Sequence, residues 1–209
     1  MRVAFYAPLK PPDSPVPSGD RKMARQLFAC LRSKGYDVKL ISHLKSREPH
    51  GLRQKQIFIK NRSDKIIERL GNRFLETDSW RPDVWFTYHM FYKAPDWLGP
   101  PISKALKIPY VIAEASHAPK RNKGDWSFNQ EQVVLALKHA DVIIGLNSND
   151  EHFVKEVISS NCTYGFIKPF MGPDAPTSCG NDRTLFREDV CQELSIPRNN
   201  VLLLAVGMM

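Results

Sequence analysis

A chain of 209 residues, 42% of them hydrophobic, can bury the core of one large domain and is too apolar to be disordered throughout. Its 30 Lys and Arg residues outnumber the 22 Asp and Glu residues, which favours anionic partners such as nucleic acid, phosphorylated small molecules or an anionic membrane face, although a plain basic surface explains the same balance. The four cysteines form no C-x-x-C pair, so zinc and redox motifs find no support.

The amino terminus, MRVAFYAPLKPP, is not typical of a signal peptide, because its apolar stretch is short and prolines follow at once. No apolar run approaches the length of a membrane span. We therefore expect a cytoplasmic protein with reduced cysteines, and the inner face of the membrane is an alternative location.

The first part of the chain alternates strands and helices. An apolar strand is predicted over Arg2–Ala7, followed by a proline-rich loop and a helix over Asp20–Lys34, whose apolar residues recur every three or four positions. A second strand follows at Val38–Ser42. The stretch from His43 to Lys60 is irregular, and a short strand is predicted at its end, over Gln56–Lys60.

The same alternation continues as far as residue 169. In chain order, the predicted elements are a helix around Ile66–Phe74, a strand at Asp83–Tyr88, a helix at Ile102–Lys107, a strand at Pro109–Ala115, a helix from near Phe128, a strand at Asp141–Asn147, a helix from Ser148 to about Ile158 and a strand at Gly165–Pro169. Two capping boxes, Ser127 with Gln130 and Ser148 with Glu151, indicate where the helix near Phe128 and the helix from Ser148 begin.

Strands that are apolar on both faces and that alternate with helices predict an α/β fold with a doubly wound, mostly parallel, Rossmann-like sheet. Ligands of such sheets bind at the carboxyl ends of the strands, near the point where the strand order reverses. Candidate functional residues are therefore expected in the loops after Ala7, Tyr88, Ala115 and Asn147.

A shift in composition predicts three parts of the chain. Residues 1–168 are expected to form the Rossmann-like domain, and residues 169–199 an interdomain linker, rich in Gly, Pro, Ser and Asp, with a helix near Thr184–Leu194. Residues 200–209 contain the apolar run Val201–Val206, which is typical of a strand buried on both faces of a parallel sheet.

The loop after the first strand contains neither G-x-G-x-x-G nor G-x-x-x-x-G-K-[ST], which argues against a dinucleotide-dependent dehydrogenase and a P-loop nucleotidase. Gly19 still permits a ligand to approach the backbone where the helix begins, next to Asp20 and Arg21. Cations in the first turn oppose the helix dipole unless an anion binds there. A phosphate site is one interpretation, and cations that simply point into water are the other.

The loop after Pro109–Ala115 brings together polar and basic residues, namely Glu114, Ser116, His117, Lys120 and Arg121. A histidine at the edge of a sheet can orient a substrate hydroxyl or a diphosphate oxygen, and the basic side chains can hold anions. A polar surface loop is the alternative.

Two further strand ends carry candidates. Tyr88 and His89, within YHMFY, suggest either an aromatic platform for a sugar or a lipid tail, or part of the core. Asn147 is a candidate after the next strand, whereas Ser148 is assigned to the helix cap. No metal-ligand cluster stands out, so no metal site is predicted; a catalytic triad, which is a spatial arrangement, is neither recognised nor excluded.

Four stretches carry a family resemblance when they are taken in order: RVAFYAPLKPPDSPVPSGDRKMARQL, PYVIAEASH, ADVIIGLNSNDEHF and FREDVCQELSIPRNNVLLLAVGMM. Together they resemble the N-terminal half of a GT-B glycosyltransferase close to family 4. Two features depart from the family. Gly19 stands alone where a glycine pair is common, and the second, donor-binding domain has no counterpart, so VLLLAVG resembles only its first strand.

The resemblance implies transfer of a sugar from a nucleotide-sugar donor to a glycan, lipid or small-molecule acceptor, with retention at the anomeric carbon, no obligatory metal and no cofactor besides the nucleotide sugar. His117 would lie near the transferred sugar as the catalytic residue, and Gly19, Asp20 and Arg21 would approach the donor phosphates. The acceptor side would consist of Tyr88, His89, Glu114, Ser116, Lys120 and Arg121.

Without a donor-binding domain the chain is expected to be inactive alone, so a donor-domain chain and a peripheral membrane contact are candidate partners. The alternatives are a non-catalytic basic fragment and a nucleic-acid- or phosphate-binding protein. Nucleic acid is not the expected partner, because the cations are spread along the chain and no helix-turn-helix, RNA-binding aromatic motif or zinc finger is found.

Overall fold

The computed structural model describes residues 1–76, 79–168, 170, 182–197 and 199–202. The chain divides into two compact units, Met1–Phe170 and Met171–Met209. Within the linker predicted over residues 169–199, the stretch 170–181, rich in Gly, Pro, Ser and Asp, lies outside the described residues except for Phe170. The predicted terminal strand lies outside them beyond Leu202. Val201 and Leu202, the described residues of that predicted strand, do not lie in a strand.

The first unit is built on a six-stranded parallel sheet. In chain order, its strands are β1 (Arg2–Tyr6), β2 (Asp37–Ser42), β3 (Val84–Met90), β4 (Tyr110–Ala115), β5 (Val142–Gly145) and β6 (Thr163–Phe166). Their spatial order is β2-β1-β3-β4-β5-β6, and every neighbouring pair is parallel. The chain therefore leaves β1 in one direction to β2 and in the other through β3 to β6, so the switch point lies between β1 and β3.

Helices connect the strands and cover both faces of the sheet. They are α1 (Gly19–Ser33), α2 (Arg53–Leu75), α3 (Gly99–Leu106), α4 (Ser127–His139) and α5 (Ser148–Lys155), with a 3-10 turn at Pro119–Arg121; the second unit contains α6 (Asp182–Glu193). The predicted α/β fold with a doubly wound, Rossmann-like sheet is confirmed.

Alternate strand residues pack into two hydrophobic clusters. Ala4 and Tyr6 of β1 lie in a cluster with side chains of α2, α3 and α4, whereas Val3 and Phe5 pack under α1. Because the inner strands β1, β3 and β4 are covered on both sides, their sequences are mostly continuous apolar runs rather than alternating ones.

The short strand predicted over Gln56–Lys60 is wrong, because this stretch forms the first turns of α2. The buried stripe of α2 includes Gln56, Ser63 and Leu70, spaced seven residues apart, so two of its buried positions are polar. Ile57 and Phe58 are exposed instead. The apolar pattern from which a strand was predicted therefore lies on the outer face of a helix.

Both predicted capping boxes are wrong. Asn147 rather than Ser148 caps α5, its Oδ1 accepting the backbone N–H of Asn149 at 3.1 Å. Ser127 is the first residue of α4 and not its cap, and neither polar atom of the buried Gln130 side chain has a partner among the described residues, so the pair forms no capping box. The last strand of the sheet, predicted from Gly165, begins two residues earlier at Thr163.

Candidate functional site at the switch point of the sheet

The loop after β1 is held in place by cations from the first turns of α1. The Arg21 guanidinium donates to the carbonyl oxygens of Ser14 at 2.8 Å and Pro15 at 3.0 Å, and Arg25 Nε donates to Pro12 O at 2.5 Å. Ser18 caps the helix by accepting the backbone N–H of Arg21. Arg21 is the residue expected near a donor phosphate; its guanidinium fixes the shape of the loop, and its buried Nε has no partner among the described residues.

The start of α1 is open at Gly19. A Cβ placed on Gly19 would meet no heavy atom within 4 Å, so the backbone there is accessible to a ligand. The next residue, Asp20, reaches across the switch point to β3, where its Oδ1 lies 2.9 Å from His89 Nδ1. An ionised carboxylate only accepts, so Nδ1 of His89 carries the hydrogen of this bond.

One residue in each of two neighbouring strands has a left-handed backbone, and the two residues lie side by side in the sheet. His89 of β3 has φ +59° and Glu114 of β4 has φ +60°. The register pairs Tyr88 with Ala113 and Met90 with Ala115, so His89 and Glu114 stand opposite one another. Left-handed backbone in non-glycine residues is strained and is concentrated at functional sites.

The other described non-glycine residues with positive φ have an ordinary explanation. Lys107 is the C-cap of α3, and Ser195 follows the end of α6. Left-handed residues are common where helices end. No such reason applies to His89 and Glu114, which lie within strands.

The side chains of His89 and Glu114 belong to a charged group at the carboxyl ends of the strands. We call Asp20, Tyr88, His89, Glu114 and Asp150 the switch-point cluster. His89 Nδ1 lies 4.0 Å from Glu114 Oε2, and both side chains are partly buried. Burial, the negative charge of Glu114 and a hydrogen bond to it raise the pKa of the Tyr88 hydroxyl.

The charges of the cluster shift the pKa values of its members in opposite directions. Burial disfavours the charged form of His89, but the hydrogen bond to Asp20 and the charges of Glu114, Asp20 and Asp150 outweigh it, so the pKa of His89 is raised. The hydrogen bond from His89 lowers the pKa of Asp20 against the effect of partial burial. The carboxylates of the cluster thus favour the charged form of His89.

Asp150 lies in the first turn of α5, just after β5, and so adds a residue from the end of a third strand to the cluster. Ser116 Oγ donates to Asp150 Oδ1 at 2.6 Å, and Asn147 Nδ2 donates to Asp150 Oδ2 at 2.9 Å. Two of the predicted candidates, Ser116 and Asn147, therefore act on Asp150, which the sequence analysis did not single out. Its position in the first turn after β5, at the same sheet edge, is the signal that could have identified it.

His117, the predicted catalytic residue, is 6% exposed after the end of β4. Its Nδ1 lies 3.0 Å from Phe153 O, and since a carbonyl oxygen only accepts, Nδ1 carries a hydrogen. In the neutral ring, Nε2 is then a hydrogen-bond acceptor. This buried Nε2 has no partner in the part of the chain that the structure describes.

The remaining predicted residues lie on the 3-10 turn. The Arg121 guanidinium stacks 4.9 Å from the Tyr92 ring, and Lys120 is exposed. No hydrogen bond joins either of them to the switch-point cluster within the described ranges.

A row of aromatic rings runs from the cluster to this turn. Ring centroids are 5.3 Å apart for His89 and Phe91, 5.5 Å for Phe91 and Tyr92, and 5.1 Å for Tyr92 and Trp126. Tyr88 is buried in the core, whereas Phe91 and Tyr92 are half-buried. Any aromatic platform would therefore consist of Phe91 and Tyr92, which the sequence analysis did not select individually.

The pair of Asp20 and His89 is expected to make stability depend on pH. The raised pKa of His89 contributes stability that is complete below its ordinary value of 6.5 and is lost as the pH rises through the folded value. The lowered pKa of Asp20 contributes stability that is complete above its ordinary value of 3.8 and is lost as the pH falls through the folded value.

A double-mutant cycle of Asp20→Asn and His89→Asn, measured by chemical denaturation, tests this expectation. Because both side chains are partly solvated, we expect a coupling free energy of about 0.5–1 kcal/mol at about pH 5.5 and much less at about pH 9. Coupling that is equal at both values, or larger at the higher one, would contradict the assignment of charge to this pair.

Among the residues that the structure describes, no helix is both long and apolar enough to cross a bilayer. Nor do the same residues contain a group of three or more His, Cys, Asp or Glu side chains placed to hold a metal ion.

Fold and site together define an α/β protein with a Rossmann-like parallel sheet and a charged cluster at its switch point. No model of a known protein family matches the chain, and no curated protein matches its sequence significantly.

Proposed function

We propose that this chain provides the acceptor side of a retaining, GT-B-type glycosyl-transfer site similar to family 4, in which a sugar passes from a nucleotide donor to an acceptor hydroxyl. The observation that carries the proposal is the switch-point cluster, in which two strained residues from neighbouring strands, His89 and Glu114, meet Asp20 from α1. The four ordered sequence stretches that resemble this family support it independently.

The chemistry of the cluster suits a ligand rich in hydroxyl groups. Carboxylates accept hydrogen bonds from several hydroxyls, and the Asp20, Glu114 and Asp150 side chains converge around the His89 ring. The half-buried rings of Phe91 and Tyr92 lie next to them and offer an apolar surface. A few fixed polar groups beside aromatic surface are typical of small-molecule sites.

Two further residues have roles in the proposal. Nε2 of His117, which lacks a partner among the described residues, would accept a hydrogen bond from a sugar hydroxyl. Gly19, with open space above its backbone, would allow the donor diphosphate to approach the start of α1. Donor binding itself would depend on a second domain, as the family resemblance implies.

Binding of sugars to the chain tests the proposal without any donor domain. Saturation-transfer NMR with a panel of methyl glycosides is expected to detect at least one ligand, and His89→Asn should weaken its binding about tenfold or more. Asparagine is chosen because it tolerates the left-handed backbone of His89 better than most residues.

The matched control is His152→Asn, since His152 is an exposed residue of α5 that pairs only locally with Glu156. We expect this variant to bind like the native chain. The proposal fails if no glycoside binds, or if the signal is the same in His89→Asn and the native chain.

A further inference from the structure

A cleft of about 440 Å³, separate from the switch-point cluster, lies beside the carboxyl end of β2, an edge strand of the sheet. One wall is the stretch that follows β2, and the other is α2. Its cations are Lys45, Arg62 and Arg69. Ile41, Leu44 and Ile66 also line it and belong to or pack against the hydrophobic core. The cleft thus combines an apolar floor with a cationic rim.

The cations of this cleft carry no neutralising partner in the part of the chain that the structure describes. Among the described residues, no carboxylate forms an ion pair or hydrogen bond with Lys45, Arg62 or Arg69. On the loop side, Asp13 Oδ2 lies 2.6 Å from Nε2 of the lining residue His43. Asp13 is therefore engaged by His43, and the Arg62 guanidinium lies 5.9 Å from the Phe58 ring centroid, a contact that does not neutralise its charge.

The spacing along α2 adds like-charge repulsion. Lys65, Arg69 and Arg73 follow one another at four-residue intervals, which places them next to each other on the helix surface. Like charges at this spacing destabilise a helix. By contrast, Lys60 in the preceding turns is paired with Asp64 at 2.6 Å. An anion bound beside Arg69 would relieve the repulsion.

The side-chain types specify the kind of anion. Arginine presents a planar set of N–H donors that matches a phosphate group, and two arginines with one lysine can neutralise a dianion. Inorganic phosphate would leave the apolar floor uncovered, whereas a hydrocarbon group attached to the phosphate can be buried there.

We propose that this cleft binds a phosphorylated amphiphile, a phosphate monoester whose apolar group lies on Ile41, Leu44 and Ile66 while Arg62 and Arg69 hold the phosphate. The same chemistry is offered by a soluble alkyl phosphate and by a phosphomonoester lipid headgroup. This inference is independent of the proposed glycosyl transfer, because it concerns a different strand end and does not use the switch-point cluster.

Titration calorimetry of the full chain tests the proposal with inorganic phosphate and with dodecyl phosphate below its aggregation concentration. Dodecyl phosphate is expected to bind about tenfold more tightly or better. The Arg62→Gln/Arg69→Gln double variant should lose about tenfold or more of this affinity while its circular dichroism spectrum is unchanged, because both side chains are exposed. Lys45→Gln, outside α2, should weaken binding without touching the helix.

The matched control is Arg32→Gln/Lys104→Gln, which removes the same net charge from exposed positions near the C-terminal ends of α1 and α3. It should bind like the native chain. Cosedimentation with phosphatidylcholine vesicles, with and without phosphatidic acid, identifies the source: binding to vesicles that the arginine variant loses indicates a lipid headgroup, and binding of the soluble ester alone indicates a free metabolite.

Three results would overturn the proposal. The first is equal affinity for inorganic and dodecyl phosphate, which would leave the apolar floor without a role. The second is undiminished binding by the arginine variant. The third is an equal loss of binding in the control variant, which would reduce the effect to the net charge of the chain.

Discussion

Gly99→Ala is expected to lower the free energy of unfolding by about 2–3 kcal/mol, in the range of overpacked cores. A Cβ on Gly99 would overlap Asp96 Oδ2 and lie 2.6 Å from Tyr110 Cε2 and 2.8 Å from Trp85 Nε1. All three neighbours are fully buried. None of them is the free end of a flexible side chain, so the strain has no easy release.

The neighbour that would have to move, Asp96, holds a buried polar network together. Its Oδ1 accepts the backbone N–H groups of Leu98 and Gly99, both at 2.8 Å, and its Oδ2 accepts from the hydroxyls of Thr87 and Tyr110. Burial raises the pKa of Asp96 in spite of these donors. Displacing the carboxyl group would leave buried donors without partners, which adds to the destabilisation.

The matched control is Gly71→Ala, in the interior of α2, where an added Cβ meets no heavy atom within 4 Å. Alanine there should stabilise the protein by about 0.5–1 kcal/mol, because glycine is a poor helix former. Urea denaturation of the two variants measures the difference. Equal stabilities would show that the space around Gly99 opens without strain.

Glu114→Gly is expected to be more stable than Glu114→Ala by about 1 kcal/mol, and neither variant should bind the glycosides that we expect the native chain to bind. Both substitutions remove the carboxylate and its interaction with Tyr88, so these losses cancel in the comparison. The remaining difference is the Cβ at a left-handed backbone position, φ +60°, which glycine adopts without strain.

The same pair of substitutions at Lys39, an exposed position of β2, provides the control. There alanine should be the more stable by about 0.5–1 kcal/mol, because glycine loses more conformational freedom on folding. Thermal melts and saturation-transfer NMR measure both properties. If Glu114→Gly is the less stable variant at position 114, or if it retains glycoside binding, the backbone strain there has no connection with a ligand site.

The local pattern of apolar residues was sufficient to predict most strands of the sheet. The strands predicted from apolar runs at Arg2–Ala7, Asp83–Tyr88 and Pro109–Ala115 are confirmed, each within two residues at either end. The pattern misled at Gln56–Lys60, because a helix buries polar residues beside another helix and exposes apolar ones to solvent. Periodicity indicates the core face only when the core-facing residues are apolar.

The sequence by itself determined that the protein is α/β, that its strands are buried on both faces and that polar residues gather after several strands. Only the tertiary structure decided that Asp20 meets His89, 69 positions later in the chain, and that the Arg21 guanidinium binds carbonyl oxygens of the loop before it. The left-handed backbone at His89 and Glu114 was also invisible in the sequence. The physical reason is that hydrophobic periodicity is local, whereas these contacts depend on the order of the strands, which places the ends of β1, β3 and β4 side by side.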